Sequence, residues 1–150
     1  MKPAWPEQIQ DTHEHDYIAL CVSKLKKYKR MKNYIKEDDP FIVPTVDMKL
    51  IEEHFGNASN KYDKCSIARM EVPPRWKEPV QTPEFDEFTL MVKGQKRITV
   101  DGEKIELKAG QSILVKKGSR VQYSNPYDYP AIYWSVCLPP FSLDTVHREK

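Results

Sequence analysis

Long apolar runs are missing from this sequence. No stretch approaches the roughly 18 consecutive apolar residues that a membrane-spanning helix needs. The first residues, MKPAWPEQ, lack the apolar centre of a secretory signal peptide. These absences predict a chain without a membrane partner, and we expect it in the cytoplasm.

Cysteine is scarce as well, and it follows no disulfide or metal-binding pattern. The three cysteines, Cys21, Cys65 and Cys137, are far apart and form no CxxC pair, so the sequence predicts buried free thiols. Phosphate-binding and dinucleotide-binding glycine motifs are absent, as is the GxSxG turn of a nucleophilic serine. Neither sign of charge is in large excess, since the net charge is +2, and we therefore expect no nucleic-acid partner.

The 150 residues have the composition of one folded domain, with 39% hydrophobic and 31% charged residues. Apolar residues at spacings of three and four over residues 14–32 predict a helix with a basic, solvated outer face. A nucleic-acid contact for that face is a less favoured alternative, because few aromatic residues accompany the charges. A short strand is predicted at residues 41–43, and residues 49–55 are predicted to be helical up to Gly56.

Beyond residue 64 the pattern changes to short strands rich in β-branched and aromatic residues. The predicted strands span residues 65–72, 87–92, 96–100, 104–108, 112–116, 120–124 and 131–138. Asp101-Gly102 predicts a tight hairpin turn between two of them. An open sheet would expose long edges, so we predict an all-β fold, a small jelly-roll barrel, at residues 61–150. Residues 1–60 are then an N-terminal helical extension with strands that pack on the barrel.

Two short motifs, Glu87 with Gly94 and then Gly110 with Gly118 and Asn125, resemble those of the cupin superfamily. Glu87 followed by Gly94 resembles the end of the first cupin motif, and Gly110, Gly118 and Asn125 resemble the second. Closer still, FDEFTLMVKGQ and DGEKIELKAGQSILVKKGSRVQYSNP are similar to the cupin of the ethanolamine-utilisation proteins. The resemblance covers residues 65–140 and implies an RmlC-like barrel of a kind that commonly pairs into dimers.

The histidines that hold a metal in this family are missing. In cupins, three histidines and the glutamate bind one metal ion. The matching positions carry Val80 and Thr82, or Gln81 and Pro83 in the shorter spacing, and Val121. A carboxylate without imidazoles binds a divalent ion weakly, so we predict no metal and no cofactor. Chelation by His13 and His15 is a less favoured alternative, because a third ligand is not identified.

The family resemblance places Glu87 on the inner face of the barrel. With a period of two along the strand, Thr89 and Met91 follow it inward, while Val121 and Tyr123 enter from the opposing segment. Apolar surroundings raise the pKa of a carboxyl group, so Glu87 is the candidate acid or base. Tyr123 is the second candidate catalytic residue, as a proton donor or an orienting hydroxyl.

The binding residues are predicted less directly, because strand register decides which side chains face inward. The candidate substrate-binding residues are Thr89, Met91 and Val121, together with Arg69, Gln81 and Trp134. Structural roles are the alternative, with Glu87 in a salt bridge to Arg69 or Arg97 and Tyr123 in the core.

These observations support two functions. One is acid–base chemistry of the isomerase or lyase type on a small polar molecule inside the barrel. The other is a non-catalytic module that binds or senses a small molecule and acts as a dimer. We interpret the aromatic cluster as the hydrophobic seam of a homodimer, with a stacking platform for a sugar or base as the alternative. The cluster comprises Tyr123, Tyr127, Tyr129, Tyr133 and Trp134.

Overall fold

The computed structural model describes residues 33–150, of which residues 37–150 form one compact unit. All regular structure in the described residues is β-strand. The ten strands are β1 (Phe41–Ile42), β2 (Leu50–Phe55), β3 (Ser66–Val72), β4 (Trp76–Lys77), β5 (Asp86–Lys93), β6 (Gln95–Val100), β7 (Glu103–Lys108), β8 (Ser112–Val115), β9 (Val121–Asn125) and β10 (Ala131–Leu138). Within residues 33–150 there is no helix of the length and apolarity that crossing a membrane requires.

The strands form two antiparallel sheets. The first has the order β1-β2-β3-β10-β5-β8, and the second has the order β4-β9-β6-β7. The core contains Met91 and Tyr133 from the first sheet and Ile98 and Tyr123 from the second, so the sheets pack face to face. This is the architecture of a jelly-roll barrel, and the predicted all-β fold is confirmed.

The seven strands predicted beyond residue 64 correspond to β3 and β5–β10, with ends that agree within one residue. Strand β10 shows why the pattern was informative. Ala131, Tyr133, Ser135 and Cys137 are buried, whereas the residues between them are half-buried. Successive side chains of a strand point to opposite faces, so this alternation marks the inner face of the sheet.

The predicted hairpin turn at Asp101-Gly102 joins β6 to β7. Both residues have positive φ, 48° at Asp101 and 89° at Gly102. A two-residue hairpin with a type I′ turn needs this conformation at both central positions, and aspartate and glycine tolerate it well. The turn therefore fixes the register of β6 against β7.

The predicted helix at residues 49–55 is wrong, because Leu50–Phe55 form β2 between β1 and β3. Ile51 and Glu53 both line one cavity of the protein, as alternate residues of a strand do. A stretch this short fits either periodicity, and pairing with β3 provides the backbone hydrogen bonds that an isolated helical turn lacks.

The compact unit begins at Glu37, whereas the sequence predicts the barrel from residue 61. Strands β1 and β2 belong to the six-stranded sheet, so that sheet includes part of the predicted arm. The two-residue strand β4 was not predicted, because it is too short to show a period. The helix predicted at residues 14–32 lies outside the described residues.

Candidate functional site

A cavity of about 720 Å³ opens on the inner side of the six-stranded sheet. Strands β2, β3, β5 and β10 supply Glu53, Ser66, Ala68, Met70, Glu87, Ser135 and Cys137 to its wall. The loop before β2 and the segment 141–144 complete it. A cavity of this size fits a small organic molecule.

Glu87 lies on the wall of this cavity, as its position in β5 predicts. The Ser135 hydroxyl donates a hydrogen bond to its Oε1 over 2.6 Å. Burial raises the pKa of Glu87, although the charge of Lys96 and the Ser135 hydrogen bond act in the opposite direction. Burial penalises the charged carboxylate, so its proton is held more tightly than that of an exposed glutamate.

Lys96 on β6 is a buried cation, only 1% exposed. Its Nζ lies 3.6 Å from the ring centroid of Tyr133 and 4.2 Å from that of Tyr123. Burial lowers the pKa of Lys96 to about 8, although the charges of Glu87 and Glu78 act to raise it. The two aromatic faces replace part of the hydration that the ammonium group loses.

Tyr123 is 1% exposed, and its hydroxyl has no hydrogen-bond partner within residues 33–150. Burial and the negative charge of Glu87 raise the pKa of Tyr123 well above its ordinary value. The phenol therefore stays neutral at physiological pH. Tyr123 does not contribute to the cavity wall, so it is a neighbour of Glu87 in the barrel interior.

A second charged group lies on the cavity wall around Lys49. Lys49 Nζ donates to Glu78 Oε2 over 3.0 Å and lies 3.5 Å from Asp47 Oδ2. Asp47 also accepts a hydrogen bond of 2.8 Å from the indole of Trp76. Partial burial acts to raise the pKa of Asp47, but the Trp76 hydrogen bond and the Lys49 charge outweigh it and lower the pKa. The cavity thus contains a preformed ion-pair cluster.

Gln81 is 3% exposed and lines the cavity. Its backbone exchanges two hydrogen bonds with Val121, of 2.9 and 2.8 Å. Its side-chain Oε1 has no partner within the described residues. A buried amide oxygen without a donor is unfavourable, so a ligand donor that reached it would be stabilised.

Thr89, Met91 and Val121 are all buried, and none of them forms part of the cavity wall. Met91 and Val121 belong to the main hydrophobic core. Thr89 Oγ1, like the Tyr123 hydroxyl, has no hydrogen-bond partner in the described part of the chain. The inward direction of these side chains agrees with the sequence analysis, but the structure places them in the core beside the cavity.

The structure does not bring Arg69 and Trp134 to the cavity, which corrects the expectation that they line it. Arg69 on β3 forms an ion pair of 2.7 Å with Glu52, and Trp134 on β10 packs against His54 with ring centroids 5.1 Å apart. The neighbours of each along the strand line the cavity or are buried, so alternation puts Arg69 and Trp134 on the outer face. Arg69 therefore does not pair with Glu87.

The aromatic cluster of the sequence analysis is divided between separate places. Tyr123 and Tyr133 are inside the barrel, and Trp134 is on the outer face of β10. Tyr127 and Tyr129 stack on each other with centroids 5.8 Å apart. These residues do not form one continuous seam.

The donors around Glu87 do not fit the metal that the family resemblance implies. Within residues 33–150, no three His, Cys, Asp or Glu side chains come together as a metal-binding group. The groups that influence Glu87 most are the ammonium of Lys96 and the hydroxyl of Ser135, and an ammonium cannot ligate a cation. His54 packs on Trp134, and His147 pairs with Glu84. His13 and His15 lie outside the described residues.

Sequence reasoning missed Lys49, Glu78, Lys96 and Ser135. The alternation of apolar residues along their strands could have identified Lys96 and Ser135 as interior residues. Lys96 is in phase with buried Ile98, and Ser135 lies between buried Tyr133 and Cys137. A polar residue in phase with buried apolar ones on a strand is a candidate interior group.

Comparison with known proteins identifies the same fold. A family model of the cupin domain matches residues 68–137. The endoribonuclease YbeY of Myxococcus xanthus is 43% identical over 108 residues, which make up 72% of this chain and 37% of that protein. The chain therefore spans little more than a third of the length of this relative.

Three solved structures illustrate the likeness of fold. The polyketide cyclase RemF from Streptomyces resistomycificus has 13% identity and a TM-score of 0.63 over 80% of this chain and 87% of its own. An RmlC-like cupin from Shewanella frigidimarina has 15% identity and a TM-score of 0.61 over 75% and 95%. The EutQ protein of Clostridium difficile has 22% identity and a TM-score of 0.52 over 71% and 80%.

At these identities the likeness concerns the fold alone. The family model, the two-sheet barrel and the cupin motifs around Glu87 and Gly110 agree with one another. Residues 68–137 of this chain form a cupin domain, and its fold is like that of the EutQ cupins.

Proposed function

We propose that this cupin acts on a small polar molecule held in the barrel cavity, and that Glu87 transfers a proton to or from it in a step of the isomerase or lyase type. The observation that carries the proposal is a carboxyl group on the cavity wall with a raised pKa. Ser135 holds Oε1 by a 2.6 Å hydrogen bond, which orients the group. An oriented carboxyl group with a raised pKa is suited to general acid–base work.

The proposed step balances within the ligand and Glu87. The Glu87 carboxylate removes a proton from a C–H or O–H group, and the resulting acid returns it to another atom or to a leaving group of the same molecule. No oxidant or reductant is needed. We assign Tyr123 a positioning role, because its enclosed, neutral hydroxyl neighbours Glu87 but is not on the cavity wall.

The test begins with a panel of small polar metabolites, screened for compounds that raise the melting temperature by binding the folded protein. Each compound found is then incubated with the protein in D₂O, and proton NMR follows the exchange or rearrangement of its C–H groups. Glu87→Gln is expected to slow this reaction by about 10² to 10⁴-fold, the usual contribution of a general acid or base. Glu103→Gln, on the exposed side of β7, is the matched control and should react at the wild-type rate.

Unchanged exchange in Glu87→Gln would refute the acid–base role. The second candidate function is a binding or sensing module, and the match to about a third of a longer protein favours it, because modules of this kind accompany separate activities. In that case the compounds raise the melting temperature, but the wild-type protein exchanges no proton and forms no product.

We further infer a homodimer and a reducing, cytoplasmic setting. The thiols of Cys65 and Cys137 are free, which is the usual state of cysteine in a reducing compartment. The surface that supports a dimer is an apolar outer face of the six-stranded sheet, which includes exposed Leu90 and Val92.

A further inference from the structure

The cavity wall has more acidic than basic side chains. The acidic side chains are Asp47, Glu53, Glu78, Glu87 and Asp144, and the basic ones are Lys49 and Arg148. Even with Lys96 in the adjoining interior, the acids outnumber the bases. Wall charges of one sign in a cleft concentrate counter-ions of the other sign, so this cavity favours cations over anions.

Two of the three basic side chains at or beside the cavity, Lys49 and Lys96, are already engaged. Lys49 pairs with Glu78 at 3.0 Å and with Asp47 at 3.5 Å, and Lys96 lies against two aromatic rings. Lys49 therefore offers little to an anionic ligand, because binding one would compete with two existing carboxylates. The excess of acid remains after these pairs are counted, since Lys49 serves two carboxylates with one charge.

Gln81 supplies an independent indication. Its side chain is almost completely buried, it lies on the cavity wall, and its Oε1 accepts no hydrogen bond from residues 33–150. This oxygen is an acceptor only. A ligand N–H group would satisfy it, whereas a carboxylate or phosphate oxygen would face it as a second acceptor.

The remaining wall is apolar, which limits the shape of the ligand. Val43, Ile51, Ala68, Met70 and Phe141 line the cavity together with the charged groups. A ligand that fits both parts has a small hydrocarbon portion and a positively charged nitrogen. Burying such a hydrocarbon contributes free energy without any further polar contact.

We propose that the ligand of this cavity is a small organic cation with N–H donors, bound between Gln81 Oε1 and the cavity carboxylates. The inference rests on the proposed small-molecule function and adds the chemical class of the ligand. It assigns Gln81 as the residue that distinguishes a cation with N–H groups from a neutral or anionic molecule of the same size.

The experiment uses three probes that share one carbon chain: butylammonium, butanol and butyrate. Each is titrated into the ¹⁵N-labelled chain of 150 residues, and amide chemical shifts report both affinity and place of binding. Butylammonium is expected to bind on the order of tenfold more tightly than butanol, because a charge-assisted hydrogen bond replaces a neutral one. Butyrate is expected not to shift the cavity amides.

Two substitutions of Gln81 test whether its side-chain oxygen contributes to binding. Gln81→Leu removes the acceptor and should weaken butylammonium binding by about tenfold, with a smaller effect on butanol. Gln81→Glu keeps the size and adds charge, and it should strengthen binding of the cation. Gln95→Leu is the matched control, because Gln95 bonds to the Tyr129 hydroxyl on the outside of the protein.

Each outcome decides the proposal. Equal or tighter binding of butyrate or butanol overturns the ligand class and leaves a small-molecule cavity in place. Equal butylammonium affinity in the wild type and in both Gln81 variants would show that Gln81 does not bind the cation, and this result would refute the proposal. Binding of none of the probes overturns the ligand class as well, while the acid–base role of Glu87 is decided separately by the D₂O exchange experiment.

Discussion

Glu87 and Lys96 are two interior groups of opposite charge, and each changes the protonation of the other. Burial raises the pKa of Glu87 and lowers that of Lys96 to about 8. Their mutual attraction acts in the opposite direction on both. The proton affinity of Glu87 therefore depends on Lys96, although Lys96 does not lie on the cavity wall.

Replacement of Lys96 by methionine tests this dependence. Lys96→Met keeps an unbranched side chain of similar length and removes the charge, so the pKa of Glu87 is expected to rise further. The measurement is a pH titration of the Glu87 carboxyl carbon by NMR in glutamate-labelled protein, with the signal assigned by its loss in Glu87→Gln. One pKa unit corresponds to about 1.4 kcal/mol of interaction.

Lys49→Met is the matched control, because Lys49 is also buried but pairs with Glu78. It should leave the titration of Glu87 close to that of the wild type. A Glu87 pKa that stays the same in Lys96→Met, or that changes equally in both variants, would show that Lys96 does not tune the carboxyl group.

The sequence alone predicts those site residues whose inward direction follows from alternation along a single strand. Glu87, Thr89 and Met91 face inward because they alternate along one strand, and the burial of Tyr123 follows from β9 in the same way. Arg69 and Trp134 could not be assigned without register. They lie opposite each other on β3 and β10, so a single parity error places both on the wrong face.

At the scale of strands and turns, the second half of the chain was predictable because its signals are local. Turn residues with positive φ separate strands whose side chains alternate, and both features can be read in a few residues. Strand β2 was not predictable in this way. Its strand character depends on pairing with β3, whose partner residues lie 12 or more positions away, and local propensity does not contain that information.

Gly94 connects β5 to β6 and has a φ of 75°. A Cβ atom at this position would lie 2.7 Å from the carbonyl oxygen of Pro130, which precedes β10. Gly94→Ala is therefore expected to lose about 1 kcal/mol of unfolding free energy from the left-handed backbone. The clash with the Pro130 carbonyl should cost about 1 to 3 kcal/mol more.

Gly102→Ala separates the two contributions. Gly102 has a φ of 89°, but a Cβ atom there meets nothing within 4 Å, so only the backbone cost should remain. Urea denaturation of the two variants and the wild type gives the comparison. Equal losses in both variants would mean that the approach of Pro130 to Gly94 has no energetic consequence.

At the scale of the whole molecule, the outer face of the six-stranded sheet exposes several large apolar side chains. Leu90, Val92, Leu114 and Leu138 on β5, β8 and β10 are between 42% and 54% exposed. The register places Leu90 opposite Trp134 and Phe88 opposite Leu114, so these side chains form one apolar area. Scattered exposed leucines are common, but a contiguous apolar area on a sheet is typical of an interface.

We predict that a second copy of the chain covers this area. The double substitution Leu90→Lys and Val92→Lys places two charges at its centre, where burial in a dimer would leave them without partners. Light scattering during size-exclusion chromatography should give the mass of two chains for the wild type and of one chain for the variant, while circular dichroism shows the same fold. Val46→Lys, at a fully exposed position in the loop before β2, is the matched control and should remain a dimer. A wild-type protein that elutes with the mass of one chain at all concentrations would refute the dimer, and a dimeric double variant would place the interface on another surface.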